Sequence, residues 1–161
     1  MTIADRMTAE AEQKAAAEIG SPVLGVAFAN RCGVLANIAS RTLMNVAGNV
    51  LVGQTVGPGG VPKDDIRRAD GGSTKLPTAF LLAVTAGEVH VFEIRMVMGR
   101  VKLKGTLGVF QRSGLELAVD ENQMTTVFYI RSQGQDMTFE IMGGEMAGAD
   151  YARQTAALLR G

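Results

Sequence analysis

A chain of 161 residues, 47% apolar and 20% charged, is long enough to bury one domain-sized core and has the composition of a soluble globular protein. Sixteen bases cancel sixteen acids, so no global field draws the chain to nucleic acid or an anionic membrane, and any electrostatic partner must be met by a local patch. Cys32 is the single cysteine and His90 the single histidine, which excludes an intrachain disulfide and a thiolate zinc cluster. A Ser–His–Asp triad could use only His90, and a Cys–His dyad only Cys32 with His90.

In chain order, residues 8–19 (TAEAEQKAAAEI) read as a short helix capped by Thr8, with Glu10 and Glu12 in its first turn and Gly20–Ser21–Pro22 as its stop. Its apolar facing is thin (Met7, Ala11, Ala15, Ile19), so weak docking or fraying is expected of this arm, residues 1–21. The start carries Asp5, Glu10 and Glu12 and no apolar core of a secretory signal, so the expected compartment is the cytoplasm. Pro22 to Ala29 (PVLGVAFA) is an apolar run that reads as a buried strand. Residues 33–53 place Leu35, Ile38, Leu43, Val46 and Val50 on one helical face and Asn37, Arg41, Asn45 and Asn49 on the other, an amphipathic helix. The uncharged stretch from Thr42 to Pro62 is about as long as a membrane span, but its asparagines, glycines and prolines make it too polar and broken for one. Residues 57–77 are a loop by composition.

From Thr78 the period becomes two. FLLAVT turns at Ala86–Gly87 into EVHVFEIR, a hairpin; VKLKG at 101–105 alternates; TLGVFQR (106–112) and LELAV (115–119) read as another hairpin through Ser113–Gly114; and TTVFYIR (125–131) turns at Ser132–Gln133–Gly134 into DMTFEIM (136–142). Residues 145–160 then read as a closing helix with Ala147, Tyr151, Ala152, Thr155, Leu158 and Leu159 along one side. The expected class is mainly β with flanking helices: a meander of short strands that rolls up and is plugged at one end.

Three features carry a family resemblance: the hairpin Leu82-Ala83-Val84-Thr85 with Val89-His90-Val91-Phe92; the strand ending in Arg131, with its Gly134 turn before Met137-Thr138-Phe139-Glu140; and a terminal helix after glycine. Over residues 78–160 the chain resembles the pleckstrin-homology-like (PH-like) domain family, in its bacterial and GRAM-like versions, with Pro22–Phe28 supplying the first strand. The resemblance implies a bent antiparallel barrel capped by its C-terminal helix and used to bind lipids, peptides or proteins. It makes residues 22–160 one domain, departing from the family by a helical, glycine-rich insertion at about 30–77. The chain also lacks the family's lysine–x–arginine phosphoinositide signature in the first hairpin loop, so inositol phosphate is not the expected ligand.

One local charge asymmetry stands out. Between Ile94 and Leu115 lie Arg95, Arg100, Lys102, Lys104 and Arg112 and no acid, whereas residues 113–150 hold seven acids and Arg131 alone. Lys102 and Lys104 alternate onto one face with Arg100 in register, and Met96, Val97 and Met98 form an apolar tip beside them. Flexible apolar side chains ringed by bases suit contact with an anionic membrane surface. The competing reading is that lysines on a half-solvated strand discourage edge pairing. His90, sharing a face with Phe92 and Ile94, reads as a core histidine, and Cys32 as a buried thiol rather than an activated one. The acid pairs Asp64–Asp65 and Asp120–Glu121 read as solvated loop residues. Phe110 and Phe128 have apolar neighbours and read as core rather than as base-stacking platforms, so nucleic acid is not an expected partner. These readings point to a non-catalytic binding or scaffold module, needing neither metal nor cofactor, that contacts a protein partner, a second copy of itself or an anionic membrane surface. The rival expectation is a carrier enclosing a small apolar molecule.

Overall fold

The structure, a computed structural model, describes residues 2–33, 65–143 and 150–161. Nearly all of the helix expected over 33–53, the glycine-rich run at 57–64 and the expected start of the terminal helix at 145–149 lie outside the described residues.

Helix α1 (Ile3–Ile19) begins earlier than the sequence suggested, because Thr2 and not Thr8 caps it. The Asp5 N–H donates to the Thr2 hydroxyl (3.1 Å) and the Thr2 N–H donates to the Asp5 carboxylate (2.9 Å), a reciprocal capping box. Thr8 instead donates to the Ala4 carbonyl inside the helix. The expected thin facing is the face that packs: Ala11 and Ala15 are fully buried, with Met7 and Ile19 beside them, against Val26, Leu81, Ala83, Phe92 and Val101. Small side chains let the helix lie close on the sheet, so the arm is docked rather than frayed.

Among the described residues nine strands follow: β1 (Gly25–Arg31), β2 (Asp65–Arg67), β3 (Ser73–Lys75), β4 (Ala79–Val84), β5 (Glu88–Val97), β6 (Arg100–Gln111), β7 (Glu116–Glu121), β8 (Thr125–Ser132) and β9 (Gln135–Met142). They form one antiparallel sheet in the order β3-β2-β9-β1-β4-β5-β6, and β8 then β7 extend it from the other edge of β9. The strand near residue 25 is thus the central link, pairing Phe28 with Leu81 of β4 and Asn30 with Glu140 of β9. Strand β4 reads as an unbroken apolar run because both of its faces are covered: Phe80, Leu82 and Val84 enter the main core while Leu81 and Ala83 lie under α1.

The sheet curls into a half-barrel around Phe80, Phe110, Phe128 and Phe139, with Phe128 stacked on Phe139 at 5.0 Å and Phe80 edge-on to it at 6.0 Å. The C-terminal helix α2 (Asp150–Arg160) closes this core with Ala152, Thr155, Ala156 and Leu159.

Two further expectations, both about the sheet, are corrected. Residues 106–112 and 115–119 form no hairpin: among the described strands β6 pairs with β5 alone, and β7 pairs with β8, Glu116 opposite Arg131. The β8–β9 turn occupies the place β7 would need, since Ser132 Oγ donates to the Gln111 carbonyl (2.7 Å) and Gln135 Nε2 to that of Val109 (3.0 Å). The curled sheet is therefore stitched at this seam by side chains rather than by a backbone ladder. The stretch expected to be loop also holds β2 and β3, a small hairpin whose Ile66 is fully buried against β6.

Candidate functional site

The β5–β6 hairpin continues past the barrel as a two-stranded arm. Its outer side is backed by α1, where Ile94 and Leu103 pack beside buried Val101 and the Lys14 ammonium donates to the Val101 carbonyl. Lys14 also holds the Glu10 carboxylate at 2.6 Å, and that carboxyl lies below its ordinary pKa, first through this hydrogen bond and further through the charges of Lys14 and Arg100. α1 thus braces the arm along its length.

Six of the seven basic or methionine residues singled out from sequence gather here: Arg95, Met96, Met98, Arg100, Lys102 and Lys104, all exposed. The register places Arg95 opposite Lys102 and Met96 opposite Val101. Lys104 falls in the register shift between Glu93 and Ile94, whose partners are Gly105 and Leu103. It is the extra residue of a β-bulge, so the strict alternation read for Lys102 and Lys104 does not hold there.

Two features of this arm oppose folding. Arg95 and Lys102 face each other directly across the ladder, a like-charge pair that destabilises a sheet. Met98 and Gly99 form a two-residue loop in which both residues have positive φ, 51° and 74°. That geometry favours asparagine followed by glycine, and a methionine there is strained. Met98 recovers nothing by burial, since it is 98% exposed. The signal available in the sequence was Val-Met-Gly-Arg where an Asn-Gly turn would serve the hairpin better.

Arg112 does not belong with the other bases. It is half-buried and donates to the Thr85 carbonyl (3.1 Å) and, at the end of α2, to that of Leu158 (3.4 Å), so it ties the β4–β5 turn to the helix. His90 stacks on Phe92 at 6.0 Å with Nε2 3.4 Å from a Glu88 carboxylate oxygen. The cluster holding Phe92 is the one beneath α1, so His90 lies on the outer face of the sheet rather than in the barrel. Cys32 is buried, and desolvation, reinforced by the Glu140 charge, pushes its thiol up to about 12, which makes it a poor nucleophile. Asp120 and Glu121 are not in a loop but in β7, where Glu121 pairs with Arg153 at 2.9 Å. Phe110 and Phe128 are fully buried.

Among the described residues no three His, Cys, Asp or Glu side chains are grouped to hold a metal ion, and no described helix is long and apolar enough to cross a membrane. Comparison with protein-family models, with curated proteins and with solved structures found no match to this chain.

Proposed function

We propose that this chain is a non-catalytic contact module that docks through its β5–β6 arm onto an anionic membrane surface, working as a cytoplasmic, membrane-peripheral protein. The observation that carries the reading is Met98, a strained, fully projecting methionine at the tip of a hairpin flanked by Arg95, Arg100, Lys102 and Lys104. Local choices that oppose folding mark places where a sequence serves something other than its fold. Each base near an anionic surface contributes about 1 kcal/mol, and burying the methionine about 1.5–3 kcal/mol. Before the ordering cost of docking, the arm therefore supplies roughly 5–7 kcal/mol, enough for weak, reversible attachment. In this reading the curled sheet with its closing helix is a PH-like scaffold, and α1 keeps the arm rigid.

That Phe80, Phe110, Phe128 and Phe139 fill the interior of the half-barrel supports a surface contact over an apolar ligand held inside it. Co-sedimentation with neutral and with phosphatidylserine-containing vesicles tests the membrane reading. Wild type binds the anionic vesicles only, and a Lys102→Glu/Lys104→Glu variant loses that binding; equal binding by the two proteins overturns the reading.

A further inference from the structure

On the flank of α1 away from the arm, helices α1 and α2 and the start of β1 enclose a groove of about 540 Å³. Asp5, Thr8 and Glu12 come from α1, Val26 from β1, and Tyr151 and Leu158 from α2. Among the described residues, two carboxylates and no basic side chain line it. The Tyr151 hydroxyl is already engaged, accepting from the Phe28 N–H at 2.8 Å, so the tyrosine is a fixed wall. The groove is mixed apolar and acidic.

The arm is its complement. Its tip carries a projecting methionine beside Arg100, with Arg95 and Lys102 one step behind. Ala9 lines the groove and also the shallow depression in which Met98, Gly99 and Arg100 meet Arg6, Glu10 and Gln13. A single helix therefore separates an apolar, basic knob from an apolar, acidic hole.

We propose that the occupant of this groove is the β5–β6 tip of a second copy of the chain, with Met98 seated between α1 and α2 and Arg100 facing Glu12. Because knob and hole flank one element, a two-fold axis beside α1 brings each tip to the other copy's groove. The contact is self-complementary and closes as a dimer rather than running on as a filament. Opposite charges across it make the association sensitive to salt. The inference uses the same tip as the membrane reading but does not rest on membrane binding; the two contacts compete for Met98.

Sedimentation equilibrium of the full chain, from low micromolar to near-millimolar and at low and high salt, tests it. Wild type dimerises, more weakly in high salt. Glu12→Lys and Arg100→Glu each raise the dimer dissociation constant by about tenfold or more. Mixed in equal amounts, the two variants recover a heterodimer, because the unaltered tip of one meets the unaltered groove of the other and the reversed pair is again opposite in charge. Circular dichroism melts confirm that both variants fold, and Met98→Asp serves in place of Arg100→Glu if that variant does not. A wild type that stays monomeric throughout, variants that dimerise as wild type does, or a mixture that forms no heterodimer overturns the inference. Vesicle binding separates it from the membrane reading: Glu12→Lys loses the dimer yet retains binding to anionic vesicles, whereas a dimer without vesicle binding refutes the membrane reading alone.

Discussion

Replacing Met98 with asparagine should move stability and binding in opposite directions. Met98 has φ 51° and is followed by Gly99 at φ 74°, with Val97 and Arg100 paired across the base of the loop. The left-handed region costs a residue with a β-carbon roughly 1–2 kcal/mol, and asparagine is relieved of part of that because its short amide bonds locally. The methionine offsets none of the strain by packing, being 98% exposed. Met98→Asn is therefore expected to stabilise the fold by about 0.5–1 kcal/mol. For a chain of this length each kcal/mol moves the melting temperature about 2–4 °C, so Tm should rise about 1–4 °C. At a membrane the same change removes about 1.5–3 kcal/mol of burial, which weakens binding about ten- to hundred-fold. The basic residues are untouched, so what binding remains keeps its salt dependence. Thermal melts and vesicle co-sedimentation on one preparation read both effects. An unchanged or lower Tm would refute the turn-strain argument, and undiminished vesicle binding would show that the methionine is no anchor.

Other consequences follow from the packing. Arg112→Ala strips a donor from the Thr85 and Leu158 carbonyls and should lower stability by about 1–3 kcal/mol in urea titration while leaving vesicle binding intact; a parallel loss of binding would return Arg112 to the basic patch. Gly108→Ala sets a methyl group 2.9 Å from Ile66 Cδ1, so a destabilisation of about 1–3 kcal/mol is expected, partly relieved by adding Ile66→Val. The Cys32 thiol has an ordinary value of 9.0 and stays protonated to about 12 in the folded chain. Below pH 9 it contributes no pH dependence; between 9 and 12 the unfolded thiol ionises and the folded one does not, so stability falls as pH rises, by about 1.4 kcal/mol per unit. Cys32→Ala should remove that slope, and the native thiol should resist maleimide until the chain is denatured.

Much of the β architecture was legible because its signals are local. Period-two alternation, the glycine turns and the apolar run at Phe80–Val84 marked β4, β5, β8 and β9, and the grouping of bases with Met96 and Met98 marked the arm. Thr2 and Thr8 both precede plausible helix, and only the reciprocal bonds between Thr2 and Asp5 decide which of them caps α1. The three-residue strands β2 and β3 are too short to show any period, and only the burial of Ile66 and Leu76 in the tertiary structure reveals that the segment is packed.

The structure sharpens the basic segment of the β5–β6 hairpin and also reduces it. Composition and spacing determined by themselves that residues 95–104 form a basic, methionine-bearing segment, since those signals depend only on neighbours along the chain. Tertiary structure decided the rest. Arg112 leaves the patch because its partners come from Thr85 and Leu158, far away in sequence, and a bulge takes Lys104 out of step. β6 and β7 separate because the β8–β9 turn claims the edge between them. The groove beside α1 was invisible in sequence because Asp5 and Glu12 meet Tyr151 and Leu158 only when the two ends of the chain come together on β1. Local pattern chooses elements; which edges and carbonyls remain free is settled by contacts between residues distant in sequence.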